Sequence, residues 1–262
     1  PLAEPLAEPL AEPLAEPLVV CIPTKGPLLN KWKSLFPINT SVIGYNEPPI
    51  CSFEIILTII KNFIPTTTLT VNELKEKLID EYSKFKNNLY KIGNILQSEG
   101  KITIAKQVLL GTVRLDTLIM SDNYYLTNLD LQLLAKHFNL PLIILSLTKL
   151  KENNREFLIV NRTTNDTYYF IIQLPFKDTK ISQYQLLIHN KLLNININLI
   201  NPSLRTDIKL ATEFNIKEYI SNYNIESINR QDIDTELDEE ELLKALELLD
   251  KQQPLIKKPY SN

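Results

Sequence analysis

Apolar and polar positions alternate along this chain with two different periods, and the switch between them divides it. Between Cys51 and Phe63 the apolar residues Phe53, Ile55, Ile56, Leu57, Ile59 and Ile60 cover more than one helical face. That distribution predicts a buried helix, closed by Pro65. Thr70-Val71-Asn72-Glu73 reads as a capping box, and Leu74, Leu78, Ile79 and Tyr82 follow at helical spacing. Residues 86–120 read as helical with breaks near Gly93 and Gly100. A further helix begins at Thr127 or Asn128, carries Leu129, Leu131, Leu133, Leu134 and Phe138, and stops at Asn139 before Pro141. From there the pattern becomes that of strands. Leu142 to Leu145 is a short continuous apolar run, and Phe157 to Val160, Tyr168 to Gln173 and Tyr184 to Ile188 follow with polar turns between them. Helices first and strands afterwards predict an α+β (mixed α/β) domain with helices packed on a small central sheet.

The ends differ from the middle. Residues 1–16 are four copies of Pro-Leu-Ala-Glu, and a proline at every fourth position removes a helical donor in each turn. Residues 1–18 are therefore expected to be an extended linker. The globular domain is expected over 19–194. A polar, acidic tail follows over 195–262, with a short helix within 207–223 and a second helix over 238–250. Seven acidic side chains fall between 232 and 241. The chain starts with Pro1 and its single methionine is Met120, so it reads as a processed product or a piece of something longer.

The net charge of −3 does not favour nucleic acid as a partner, because phosphate binding needs a basic face. Mean hydropathy is −0.09 and no apolar run approaches the roughly 20 residues of a membrane helix, so no membrane partner is expected. Cys21 and Cys51 are too few for a disulfide scaffold, which suggests unpaired thiols in a reducing, intracellular, cytoplasmic setting. Two histidines, His137 and His189, make a Cys/His zinc site an unattractive reading, and no metal is expected. Five scattered glycines leave no phosphate-cradling loop, so no nucleotide cofactor is expected either. Heavy use of Asn, Ile, Lys and Leu suggests an AT-rich genome, such as that of a large DNA virus, an intracellular bacterium or a protist, and a viral or bacterial product of this kind would act in the host cytoplasm.

Pro49-Ile50-Cys51-Ser52-Phe53 places a thiol at the start of a buried helix, where the helix dipole and free N–H groups lower a thiol pKa. Downstream come Thr70 to Leu78, then Tyr124-Tyr125-Leu126-Thr127-Asn128-Leu129-Asp130-Leu131-Gln132-Leu133-Leu134-Ala135, the strand Leu142 to Leu145, and Gln183-Tyr184-Gln185-Leu186-Leu187. Over about residues 43–192 this order of parts resembles the OTU (ovarian-tumour) family of cysteine proteases, which act on ubiquitin linkages. The resemblance implies a papain-like, OTU-like architecture. It implies Cys51 as nucleophile and backbone N–H groups of Ile50 and Cys51 as the oxyanion hole. Departures are visible. Pro48 stands where the family has Asp, Pro49-Ile50 replaces Gly-Asn, and Gln183 occupies the place of the catalytic His. Glutamine cannot serve as general base. His189 is the candidate replacement, six residues further along the strand and roughly 20 Å away. His137, at a helix C-terminus, suits the dipole there.

In the tail, Glu239-Glu240-Glu241-Leu242 followed by Ala245, Leu246 and Leu248 is similar to the ubiquitin-interacting motif. In that motif an acidic turn precedes an apolar stripe around a small alanine. Leu242, Ala245, Leu246 and Leu248 are then the expected ubiquitin contacts. Two functions stay open: a deubiquitinating cysteine protease, and a catalytically inactive OTU-like scaffold or interaction module of a larger protein.

Overall fold

The computed structural model describes residues 20–45, 49–175 and 182–223. They belong to a unit that runs to Asn222, apart from Tyr223, which begins a second one. The Pro-Leu-Ala-Glu repeat and the 238–250 helix, with Leu242, Ala245, Leu246 and Leu248, lie outside the described residues.

The chain is α+β. Strand β1 (Thr24–Pro27), helix α1 (Asn30–Lys33) and strand β2 (Thr40–Gly44) come first. A 3-10 turn over Pro49–Phe53 then enters α2 (Glu54–Phe63). Helices α3 (Val71–Ser83), α4 (Leu89–Ser98), α5 (Ile102–Leu109), α6 (Leu115–Met120) and α7 (Asn128–His137) follow. Strands β3 (Leu142–Ser146), β4 (Phe157–Ile159), β5 (Thr167–Pro175), β6 (Ser182–His189) and β7 (Asn194–Asn196) precede α8 (Pro202–Leu210) and α9 (Ile216–Asn222).

The expected capping box forms at the start of α3, and α7 carries a second one. The Thr70 hydroxyl accepts from the Glu73 amide while the Glu73 carboxylate accepts from the Thr70 amide, and Thr127 and Asp130 do the same for α7. Gly100, at φ 96°, breaks the helical stretch where a break is expected. Gly93 does not break it. It sits inside α4, and a Cβ there would stand 2.7 Å from Leu109 Cδ2, so the missing side chain lets α5 close onto α4. The expected single helix within 207–223 resolves into two, α8 and α9. Asn201 caps α8 through the Ser203 amide, with Pro202 in the first turn.

The sheet order is β1-β2-β6-β5-β3-β4, with β7 pairing the start of β5. Among the described strands, only β3 and β5 run parallel. Strand β5 sends alternate residues to two layers. Tyr168, Phe170 and Ile172 join a core with Trp32 and Phe36 around α1, and with Leu204 and Ile208 of α8. Tyr169 points the other way and donates to Asn62 Oδ1 on α2 at 2.8 Å. The sheet is thus covered on both faces, and residues beyond 194 complete one of them: Ile195, Ile197, Ile200, Leu204 and Ile208 are all buried core. The expected domain end at 194 is accordingly short. Strands β1 and β2 fall within residues 19–50, a stretch interrupted by Pro23, Pro27, Pro37, Pro48 and Pro49 in which the sequence pattern predicts no strand.

Candidate functional site

Ile50 and Cys51 lie in the 3-10 turn that leads into α2, rather than in the first α-helical turn. Cys51 is 1% exposed, and its sulfur is bonded to Cys21, with the two Cα atoms 5.4 Å apart. The expectation of unpaired thiols is corrected by this bridge. A disulfide sulfur carries no proton to lose, so the bridged Cys51 presents no thiolate for the helix dipole to stabilise. It also leaves the Ile50 and Cys51 amides without an adjacent nucleophile to serve as oxyanion hole.

Neither histidine attends Cys51. His189 lies across from Thr40 in the β2–β6 ladder, with its Nδ1 3.3 Å from Thr40 Oγ1 and its Nε2 2.9 Å from Asn190 Nδ2. Cys21 precedes β1 at the opposite end of β2, where Thr24 faces Gly44. Four residues of strand separate the Gly44 end from Thr40, about 13 Å. His137 Nδ1 is 2.6 Å from Glu81 Oε1, which also takes the Lys84 ammonium. Burial by itself would raise the Glu81 pKa, but Lys84 and His137 outweigh it and hold the carboxyl below its ordinary value. Gln183 faces Leu174 in the β5–β6 ladder.

The titratable groups that the fold does bring together lie elsewhere, at the N-terminus of α7. Asp130 of the capping box is fully enclosed and accepts from Tyr82 Oη at 2.6 Å, Tyr124 Oη at 3.0 Å and Lys101 Nζ at 3.1 Å, besides the Thr127 amide and hydroxyl. Burial pulls the Lys101 pKa down to about 8, against the opposing pull of Asp130. Burial, then Asp130, drives the phenols of Tyr82 and Tyr124 well above their ordinary range.

Next to this network is a cavity of about 200 Å³. Its lining includes Ser98 and Glu99 at the end of α4, Asn128 at the start of α7, Ser146 at the end of β3, Glu152 in the β3–β4 loop and Gln173 near the end of β5. Glu99 accepts from the Leu129 amide at 3.2 Å. Burial, then the neighbouring Glu152, pushes the Glu99 pKa up to about 8. Glu152 Oε1 accepts from Asn128 Nδ2 at 3.2 Å and Gln132 Nε2 at 3.1 Å. Tyr184, beside the Gln183 position, donates to Asn128 Oδ1 at 3.1 Å. The place is chemically sensible, since ligands of open α/β sheets bind beyond the carboxyl ends of parallel strands, here β3 and β5.

Sequence reasoning did not single out Glu99, Lys101, Asn128 or Glu152 as site residues. The one available signal was the capping box Thr127 to Asp130, which marks a helix start and says nothing of a cavity. Among the described residues, no group of three or more His, Cys, Asp or Glu side chains could hold a metal ion, and no helix is long and apolar enough to cross a membrane. Comparison with known proteins gives no match: no family model, no curated protein and no solved structure matches this chain.

Proposed function

We propose that this chain is a non-catalytic, OTU-like interaction module that binds ubiquitin or a ubiquitinated protein, rather than a working thiol protease. The observation that carries the non-catalytic part is the Cys21–Cys51 disulfide, which occupies the one candidate nucleophile. Gln183 at the general-base position agrees with it, as does the engagement of both histidines with Thr40, Asn190 and Glu81. Thiol catalysis needs a thiolate with a base in hydrogen-bond reach, and neither is at hand. The ubiquitin part rests on the order of motifs over 43–192 and on the acidic Leu/Ala helix of the tail.

The test is reaction with ubiquitin carrying a C-terminal thiol-reactive electrophile, before and after treatment with a dithiol reductant, on the parent and on Cys51→Ala. The expected result is no adduct in any sample, together with saturable binding of unmodified ubiquitin that Ala245→Asp abolishes. An adduct that appears on reduction and vanishes in Cys51→Ala would replace this reading with a protease. Absence of ubiquitin binding would remove the proposed partner.

A further inference from the structure

The Cys21–Cys51 bridge joins two segments that the fold holds very differently. Cys51 sits in the 3-10 turn before α2, and its neighbours anchor that turn in the helical layer. Ser52 Oγ accepts from the Leu126 amide at 2.7 Å. Phe53 is fully buried, with its ring centre 6.1 Å from that of Tyr124. Cys21 is attached to much less. It is half-buried, and Val20 and Ile22 on either side of it are 75% and 73% exposed. Strand β1 then lies at the edge of the sheet and, among the described residues, pairs with β2 alone. Its Thr24, Lys25 and Pro27 are exposed and its Gly26 is half-buried. The Thr24 hydroxyl adds a bond to the Gly44 carbonyl at 3.1 Å. Directly after β1 the chain returns to the core with Leu28 and Trp32.

An edge strand of four residues that buries so little apolar surface gains little to offset the backbone entropy lost in ordering it. The covalent bond supplies what burial does not. It ties the free end of β1 to a turn that other contacts already fix, so the strand is held at both ends. We propose that the Cys21–Cys51 disulfide is a redox latch on β1: a dithiol reductant opens it and releases residues 20–27 from the sheet edge, while the rest of the domain keeps its fold. Leu28 and Trp32 are the fixed point about which the segment swings.

The exchange runs through a mixed disulfide. A thiolate of the reductant attacks Sγ of Cys21, the more accessible residue of the pair. The S–S bond breaks, and Cys51 leaves as a thiolate that takes up a proton. The second thiolate of the reductant then displaces Cys21 from the mixed disulfide, and Cys21 is protonated in turn. The bridge gains two electrons and two protons, and the dithiol is oxidised to its cyclic disulfide. The latch acts on the folded state, and it holds whether or not the chain binds ubiquitin.

Hydrogen exchange read by mass spectrometry on the full chain tests this. The chain is oxidised with oxidised glutathione, the bridge is verified by thiol titration, and exchange is compared before and after dithiothreitol. On reduction, amides of 20–27 and those of 40–44 that bond β1 should exchange about tenfold faster or more, while β3, β5 and α7 stay protected. Reoxidation should restore the slow exchange. Cys21→Ser should exchange fast in the same segments and ignore the reductant. Failure of the bridge to form, unchanged exchange on reduction, or slow exchange at 20–27 in Cys21→Ser would each overturn the proposal. So would loss of protection across β3, β5 and α7, which would make the bridge a support of the whole fold. The comparison of bridged and reduced parent decides the matter even if the variant fails to fold.

Discussion

Lys101 Nζ stands 3.1 Å from Asp130 Oδ2, and neither side chain reaches solvent. Lys101 lies over the Tyr124 ring at 3.0 Å from its centre, and that tyrosine in turn donates to Asp130. The ion pair is therefore one edge of a closed polar network, in which each buried charge is held by several partners. Such a pair contributes little net stability when intact, yet removing one partner strands a buried charge.

Asp130→Ala should accordingly cost about 3–5 kcal/mol in chemical denaturation. The double variant Lys101→Met, Asp130→Asn should lose clearly less than the sum of the single variants, because no charge is left behind. Additive losses would show that the two groups act separately.

Glu99 gives a pH signature. Its pKa rises from 4.5 to about 8 on folding, so between those values the folded chain binds more protons than the unfolded chain. Its contribution to stability is full below about pH 4.5 and is lost as pH rises through about 8. Glu99→Gln stays neutral throughout. Its melting temperature relative to the parent should climb between about pH 5 and about pH 9. A pH-independent difference would mean that Glu99 ionises at its ordinary value.

The disulfide closes a loop between Cys21 and Cys51, which are 30 positions apart in sequence. On the chain-entropy view this constrains the unfolded state by about 3–4 kcal/mol. Cys21→Ala, or a dithiol reductant on the parent, should lower the denaturation midpoint by a matching amount, and the reductant should do nothing further to the variant. A parent insensitive to reductant would mean the two sulfurs are not bridged in solution.

Gly93 offers a packing test. Alanine is usually the better helix former by up to about 1 kcal/mol. Here the new Cβ would stand 2.8 Å from Leu109 Cγ, so Gly93→Ala should instead destabilise by about 1–3 kcal/mol. Adding Leu109→Ala should recover part of that loss.

Local features were readable in the sequence because their causes are local. Thr70 and Thr127 announce helix starts by hydroxyls and carboxylates three residues apart, and Asn139 and Pro141 stop α7 before the apolar run of β3. The α+β class followed from the order of those signals. The rest needed the tertiary structure. Strand β2 sits in a proline-rich stretch, and its place in the sheet depends on β6, more than 140 residues later. Cys21 and Cys51 meet because β1 and β2 form a hairpin that returns the chain to the 3-10 turn before α2, a matter of closure rather than of period. Glu99, Lys101, Asp130 and Glu152 look like ordinary charged residues in the sequence. Their chemistry comes from burial and from one another, and only the packing of α4, α7 and the β3–β4 loop around one cavity supplies either.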